Sequence, residues 1–368
     1  MSEILARIRV RETHGIRRFL YPLQAKITVP DGVVSSDYGM VDEAGQPIPF
    51  QFSQIYLGND VWSQEHAWDF AVSLEPFADR EYVLAAGKPQ TTVDDHLQVT
   101  FPSQSAPDIA MCSVQKRFSV SLDWYGFIPT VVYDGIPHLR QAMEISRNGL
   151  VVEPDEGGFG AVGEQLKKSF KGTGIYHTDL CNFETKSDIT ACKSWVVITH
   201  RLEQPKPNDE IVFTLPLAVT SPTLTCDFGV GGYVFGKLDG MAAPEVVWRT
   251  EFGDAPFARW SLATAGRVDY VGEVETAEAF LPQRWFHLID SDKALAVAIT
   301  QVPTNCREMT VRLTHGGDVS VAFRLGAAVS GPAQFGVCYH FLNDIPALAA
   351  ATNPQSILLP PLVEVLPV

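Results

Sequence analysis

Apolar and polar residues alternate along most of this chain in short runs, and turn-forming residues separate the runs. Ile4 to Val10 and Arg17 to Val29 alternate in this way, and Pro30-Asp31-Gly32 closes the second run. A period of two sends successive side chains to opposite faces of a pleated sheet, so both runs are expected as strands. Trp68 to Leu74, the turn Glu75-Pro76-Phe77-Ala78-Asp79-Arg80 and Glu81 to Leu84 read as a hairpin. Trp195 to Leu202 and Glu210 to Val219 read as another, joined across Gln204-Pro205-Lys206-Pro207-Asn208-Asp209. Leu97 to Phe101, Val114 to Val120, Gly229 to Gly236, Pro244 to Trp248, Phe257 to Thr264, Met309 to Leu313, Val319 to Leu325 and Gly336 to Leu342 continue the style. The pattern predicts an all-β protein, a large antiparallel β-sandwich with few short helices.

The fullest instance is Leu281 to Gln301, LPQRWFHLIDSDKALAVAITQ. Bulky residues before Asp290-Ser291-Asp292 and small or branched residues after it predict a hairpin within a larger sheet, with Trp285 and His287 on one face and Phe286 on the other. In the stretch around Pro47-Ile48-Pro49 the prolines forbid a central position, so an edge strand is expected. The segment HLRQAMEISRNG fits a short helix or a strand, with Asn148-Gly149 as a turn. Glu153 to Gly163 is irregular, with a proline and four glycines, and reads as a mobile loop ahead of a short helix over Glu164 to Lys171. The closing SILLPPLVEVLPV is apolar but broken by prolines, which predicts an extended packing segment. The domain expectation is one body over 1–368, with a sub-boundary near 153–171 separating 1–152 from 172–368.

Composition narrows the partners. The chain has 368 residues, 28 Lys plus Arg against 43 Asp plus Glu, and a formal charge of -15. That balance disfavours nucleic acid and anionic membrane and suits a neutral ligand. No apolar run reaches the roughly 20 residues that a membrane helix needs. Met1 to Arg18 lacks the charged start and apolar core of a secretory signal, so a cytoplasmic setting is expected, although a processed exported chain would look the same. The six cysteines are far apart without a CxxC spacing, and they are expected to be reduced and mostly buried.

The succession of a strand, "DEAGQPIPFQ", an apolar strand and "LEPFADREYVL" resembles the start of the β-sandwich region that follows the catalytic barrel in family 38 glycoside hydrolases, the α-mannosidases. The resemblance covers roughly the first quarter of the chain, with a looser echo at Trp285, and it implies a supersandwich of the galactose-mutarotase-like type. Neither the barrel nor its metal-binding aspartate and histidine motif is expected in this sequence, so no catalytic residue carries over.

Several clusters have chemistry of their own. In WSQEHAW, Trp62 and Trp68 offer indole faces for a sugar, and Glu65 and His66 offer hydroxyl binding or proton transfer; a loop covering a sheet edge is the plainer account. Trp124 and Tyr125, with His138 and Arg140, form a second candidate binding set, in which Arg140 and Glu144 face together only if the segment is helical. His177 and Asp179 form an HxD pair that on a strand shares one face, as metal ligands or as a base with its orienting acid. Two ligands do not make a site, and His200, His287 and His340 would have to converge on them. No cofactor is expected, and a divalent metal is left open.

Gly158 to Gly163 matches GxGxxG, but Glu153-Pro154-Asp155-Glu156 ahead of it is wrong for the buried strand that a dinucleotide loop requires. The expected function is a carbohydrate- or glycoside-active enzyme performing hydrolysis, elimination or epimerisation, with Glu65, His66, His177 and Asp179 catalytic. Trp62, Trp68, Trp124, Tyr125, His138, Arg140, Trp285 and His287 are the expected substrate contacts. The competing expectation is a non-catalytic structural or sugar-binding subunit with a separately encoded catalytic partner. A homo-oligomer is expected as well, because the apolar terminal segment must pack on its own sheet or on a neighbouring subunit.

Overall fold

The computed structural model describes residues 3–30, 37–58, 61–91, 97–103, 106–112, 117–121, 130–133, 136–137, 139–152, 156–163, 167–176, 181–190, 195–216, 218, 225–227, 235–237, 245–252, 257–264, 267–275, 286–290, 295–314, 318–328, 331–341 and 359–368. These residues form thirty strands and no α-helix. The first seven strands are β1 (Ile4–Arg11), β2 (Arg18–Thr28), β3 (Tyr38–Asp42), β4 (Pro47–Ile48), β5 (Phe50–Gly58), β6 (Val61–Leu74) and β7 (Asp79–Ala86). Next come β8 (Leu97–Ser103), β9 (Ala106–Cys112), β10 (Arg117–Ser121), β11 (Thr130–Tyr133), β12 (Ile136–Pro137), β13 (Glu144–Arg147) and β14 (Leu150–Val151). They are followed by β15 (Glu156–Gly163), β16 (Lys167–Tyr176), β17 (Cys181–Thr190), β18 (Trp195–Leu202), β19 (Glu210–Pro216), β20 (Thr225–Asp227), β21 (Phe235–Lys237) and β22 (Glu245–Phe252). The last are β23 (Phe257–Thr264), β24 (Arg267–Glu275), β25 (Phe286–Asp290), β26 (Leu295–Gln301), β27 (Cys306–Thr314), β28 (Asp318–Leu325), β29 (Ala333–Phe341) and β30 (Leu362–Leu366).

The first sandwich is built from two sheets, ordered β30-β1-β7-β3-β4 and β2-β6-β5. Alternation in β1 and β2 turns Ile8, Val10, Leu23 and Ile27 inward, where they join Trp68, Phe70 and Leu84 in one buried cluster. Phe50, Phe52 and Phe70 surround Trp68, with ring centroids at 6.5, 6.3 and 5.6 Å. The short strand Pro47–Ile48 closes the five-stranded sheet at its edge, as Pro47 and the following Pro49 require.

Two larger sheets form the second core, ordered β14-β13-β19-β28-β27-β22-β23-β24 and β15-β16-β17-β18-β29-β26-β25-β20-β21. Phe213 of β19 and Phe323 of β28 meet Phe335 of β29 at ring distances of 5.3 and 5.1 Å, which fixes the two sheets face to face. A fifth sheet runs β12-β11-β10-β9-β8. β25 and β26 pair as the expected hairpin, interior to the nine-stranded sheet.

Two expected hairpins are instead arches that cross between sheets. β6 lies in the three-stranded sheet and β7 in the five-stranded one, and β18 and β19 likewise belong to different sheets. Turn residues reverse the chain, but a reversed strand can pair with its predecessor or cross to the facing layer, and the local sequence does not choose. A buried acid sits at each crossing. Glu12 accepts from the amides of His14, Ile16 and Phe77 at 3.2, 2.9 and 3.4 Å and from Arg18 at 3.1 Å, so it ties the β1–β2 and β6–β7 crossings together. Asp209 accepts from Arg147 and from the Lys206 amide, both at 2.6 Å, and from Asn148 at 2.9 Å.

The irregular glycine-rich stretch is also ordered differently from the expectation. Residues 156–163 form β15, and the expected helix over 164–171 gives way to β16 from Lys167 onward, with Gly158 opposite Thr173 and Gly160 opposite Lys171. The GxGxxG match is therefore the edge strand of a hairpin and not a turn into a helix, and it supplies no helix N-terminus for a phosphate. Of the two readings of HLRQAMEISRNG, the structure gives a strand at Glu144–Arg147, followed by the Asn148-Gly149 turn.

The apolar tail packs on the chain's own first sheet. β30 pairs with β1 from Arg11↔Leu362 to Arg7↔Leu366, and Arg18 donates to the Leu359 carbonyl. Cutting the chain after Asn353 removes the strand and that bond. The expected loss is about 1.5–3 kcal/mol, the range for a hydrogen bond to a charged group, read as a lower urea midpoint. An unchanged midpoint would show that the strand adds nothing.

Candidate functional site

WSQEHAW lies on β6, the central strand of the three-stranded sheet. Between His66 and Phe70 the pairing with both neighbours is regular, His66 facing Ile27 and Gln54, and Trp68 facing Ala25 and Phe52. The side chains of Trp68, Phe70, Val72 and Leu74 all enter the core cluster, so Trp68 is a packing residue with no exposed face for a sugar, contrary to expectation. His66 shares its side of the strand by the same period and is half-buried, its Nδ1 buried without a hydrogen-bond partner among the described residues. Glu65 is exposed, and its amide donates to Ser63 Oγ at 3.0 Å. Adjacent strand residues point to opposite faces, so Glu65 and His66 do not meet over one ligand atom.

The opposite face of β6 carries a polar row that the sequence did not single out. Asp69 is buried and accepts from Gln24 Nε2 at 2.7 Å and Gln51 Nε2 at 3.3 Å, one amide from each flanking strand. The pairings Gln24↔Asp69 and Gln51↔Asp69 make the row a direct product of register. Both carboxylate oxygens are thus satisfied within the sheet.

Arg140 pairs with Asp318, across the eight-stranded sheet from its own segment, and not with Glu144, because the segment is not helical. Both groups are exposed, so the pair is worth little. The backbone places Trp62 opposite Tyr56, and His287 opposite Ala298 and Asp227. Trp124, Tyr125, His138, His177, Asp179 and Trp285 lie outside the described residues. Among the described residues no three of His, Cys, Asp and Glu stand close enough to hold a metal ion.

The buried groups with shifted titration are structural. Burial would raise Glu12, but the hydrogen bond from Arg18 and the amides of Ile16, His14 and Phe77 outweigh it, and its carboxyl sits below the ordinary value. Asp209 follows the same logic: burial opposes, while Arg147, the Lys206 amide and Asn148 prevail and lower it. His200 is fully buried beside Phe213, with ring centroids 5.1 Å apart, and its Nδ1 shares a 2.9 Å hydrogen bond with Thr185. Burial pushes its imidazole down to about 3, so it is neutral near pH 7. Tyr82 is pushed up to about 12, chiefly by burial and then by Asp42. None of these groups faces open solvent.

No protein-family model matches the chain, and a comparison with curated proteins finds no significant relative. Solved structures do match. An α-mannosidase from Enterococcus faecalis V583 aligns with a TM-score of 0.53 at 10% identity, covering 98% of this chain and 46% of that one. A protein in glycosyl hydrolase family 38, also from Enterococcus faecalis, aligns with a TM-score of 0.56 at 10% identity, covering 98% of this chain and 47% of that one. The chain therefore spans about half the length of the solved proteins that it matches. The resemblance carried by "DEAGQPIPFQ" and "LEPFADREYVL" holds at the level of fold, and it extends over nearly the whole chain instead of its first quarter.

Proposed function

We propose that this chain is a carbohydrate-associated β-sandwich unit that is not catalytic on its own and works beside a catalytic unit acting on neutral glycosides of the α-mannoside kind. The observation that carries the reading is the fold, which aligns over 98% of this chain with part of an α-mannosidase. The surroundings of the candidate residues support it. Trp68 is in a core, Glu65 and His66 point apart, and the perturbed acids hold arches together. A formal charge of -15 suits a neutral glycan and repels an acidic one. The test is a glycan array read for binding, with turnover of aryl α-mannosides and related glycosides measured with and without divalent metal. Binding without product is the expected result. Product formed by the isolated chain rejects the reading.

The second reading, an enzyme using His66 and Glu65, draws on the buried Nδ1 of His66 that lacks a partner among the described residues. It predicts turnover by the isolated chain, lost in His66→Ala and Glu65→Gln. Full turnover in Glu65→Gln, His66→Ala and His177→Ala would remove these residues from any site. A two-fold association remains part of the proposal, because Leu362, Val365 and Val368 leave apolar surface along the outer edge of β30. Light scattering on the intact chain reads it, and a monomer removes it.

A further inference from the structure

The turn between β13 and β14 has two residues, Asn148 and Gly149, with φ of 52° and 80°, and it closes the pairs Arg147↔Leu150 and Ser146↔Val151. Positive φ at both positions is what a two-residue hairpin of the primed type demands, and asparagine followed by glycine meets it with least strain. The same pair is chemically reactive. The Gly149 backbone nitrogen can attack Asn148 Cγ once it gives its proton to solvent base: an N–C bond forms, the Cγ–Nδ2 bond breaks, and ammonia leaves with a proton taken from water. Water then opens the cyclic imide at either carbonyl, giving aspartate or isoaspartate at position 148. The sequence of steps is redox-neutral and consumes only water.

The fold controls whether the attack occurs. Asn148 Nδ2, the leaving group, donates to Asp209 Oδ1 at 2.9 Å, and Asn148 Oδ1 accepts from the Glu210 amide at 2.9 Å. The Asn148 backbone N–H donates to the Glu210 carbonyl at 2.8 Å. The side-chain amide is thus held at both ends, and it cannot turn its Cγ towards the Gly149 nitrogen without breaking bonds to the arch. The other side of the turn is open: Asn148, Gly149 and Leu150 are exposed, and a Cβ on Gly149 would meet nothing within 4 Å.

We propose that Asn148 is a spontaneous deamidation site held in check by the closed arch, and that its conversion unlatches the arch. The product sets a carboxylate oxygen where the Nδ2 donor stood, facing Asp209, which already serves Arg147 and the Lys206 amide. Two buried-side acids then compete for one arginine. An isoaspartate also lengthens the backbone of a two-residue turn and breaks the β13–β14 register. The reaction is therefore slow while the arch is shut, proceeds when it opens, and opposes reclosing.

Peptide mass spectrometry over 144–152 after ageing in mildly alkaline buffer tests both halves. Conversion is expected to be at least about tenfold slower in native buffer than in denaturing urea, because it waits on local opening. The converted chain, separated by charge from unconverted wild type, is expected to unfold at lower urea. Asn148→Gly keeps the turn and abolishes the mass gain at this position, which assigns the signal. Equal rates in native buffer and urea overturn the protection, and an unchanged midpoint for the converted chain overturns the unlatching. Aged wild type carries the second measurement, so it does not depend on Asn148→Asp folding.

Discussion

Glu12→Ala is expected to lower stability by about 3–5 kcal/mol, the range for removing one partner of a buried ion pair. The side chains of Glu12 and Arg18 are 0% and 1% exposed, so the loss leaves a guanidinium deep in protein that has lost its carboxylate and keeps the Leu359 carbonyl and the face of Tyr21. It also strips the acceptor from the amides of His14, Ile16 and Phe77, two of them in one crossing and the third in the other. Phe77 sits at a φ of 61°, unfavourable for a bulky residue, and its ring lies against Gly15, where a Cβ would come within 2.8 Å of it. Glu12 thus offsets backbone strain as well as charge. Glu12→Gln keeps an oxygen for the amides while removing the charge, so its loss is expected to be smaller, and the difference isolates the ionic part. Urea titration gives the magnitudes. Hydrogen exchange in β1, β2 and β7 shows whether the first sandwich opens as a unit, and wild-type protection there in Glu12→Ala would contradict the proposed clasp.

The sequence was most readable where local rules decide the outcome. Asn148-Gly149 admits few turns other than the one it forms, and the prolines around Ile48 admit only an edge. Alternation predicts the buried faces of Glu210–Leu215 and Asp318–Leu325, and it breaks only at Pro216, buried next to Leu215. It failed where the outcome depends on what the chain meets after turning. Glu75 to Arg80 and Gln204 to Asp209 carry ordinary turn chemistry, yet both lead across to the facing sheet, held by Glu12 in one case and by Arg147 in the other. Those partners are 65 and 62 residues from the residues they secure, beyond any local pattern. β15 and β16 were misread because glycines and lysines are poor strand formers, and only pairing between two such segments makes them strands.

The candidate site shows the same division. Trp68 has the composition of a sugar-stacking residue, and only the three phenylalanines around it identify a core. The separation of Glu65 from His66 follows only once WSQEHAW is seen to be part of a strand that begins at Val61, since neighbours on a strand face apart. Asp69 had no signal, because its two glutamines come from different strands and meet it only through register.

Stability is expected to fall as the pH drops below about 6.5, in two stages with separate causes. His200 has an ordinary value of 6.5 and is pushed down to about 3 by burial among the aromatic rings between the large sheets. Between those values the unfolded chain binds a proton that the folded chain refuses, so unfolding gains about 1.4 kcal/mol for each pH unit of descent. The second stage belongs to Glu12 and Asp209, whose ordinary values are 4.5 and 3.8 and whose folded values are lower. A depressed carboxyl contributes its full stability above its unfolded value and loses it as the pH falls through the folded one, so the slope steepens below about 4.5. His200→Gln keeps a neutral group able to hydrogen-bond Thr185 and removes the titration. Its urea midpoint is expected to be nearly flat between about pH 6.5 and 4.5 and to fall with wild type below that, so the comparison rests on slopes and not on the offset at neutral pH. A wild-type midpoint that is flat over the upper interval, or a His200→Gln slope equal to that of wild type, would show that His200 is not the group that makes the second core sensitive to acid.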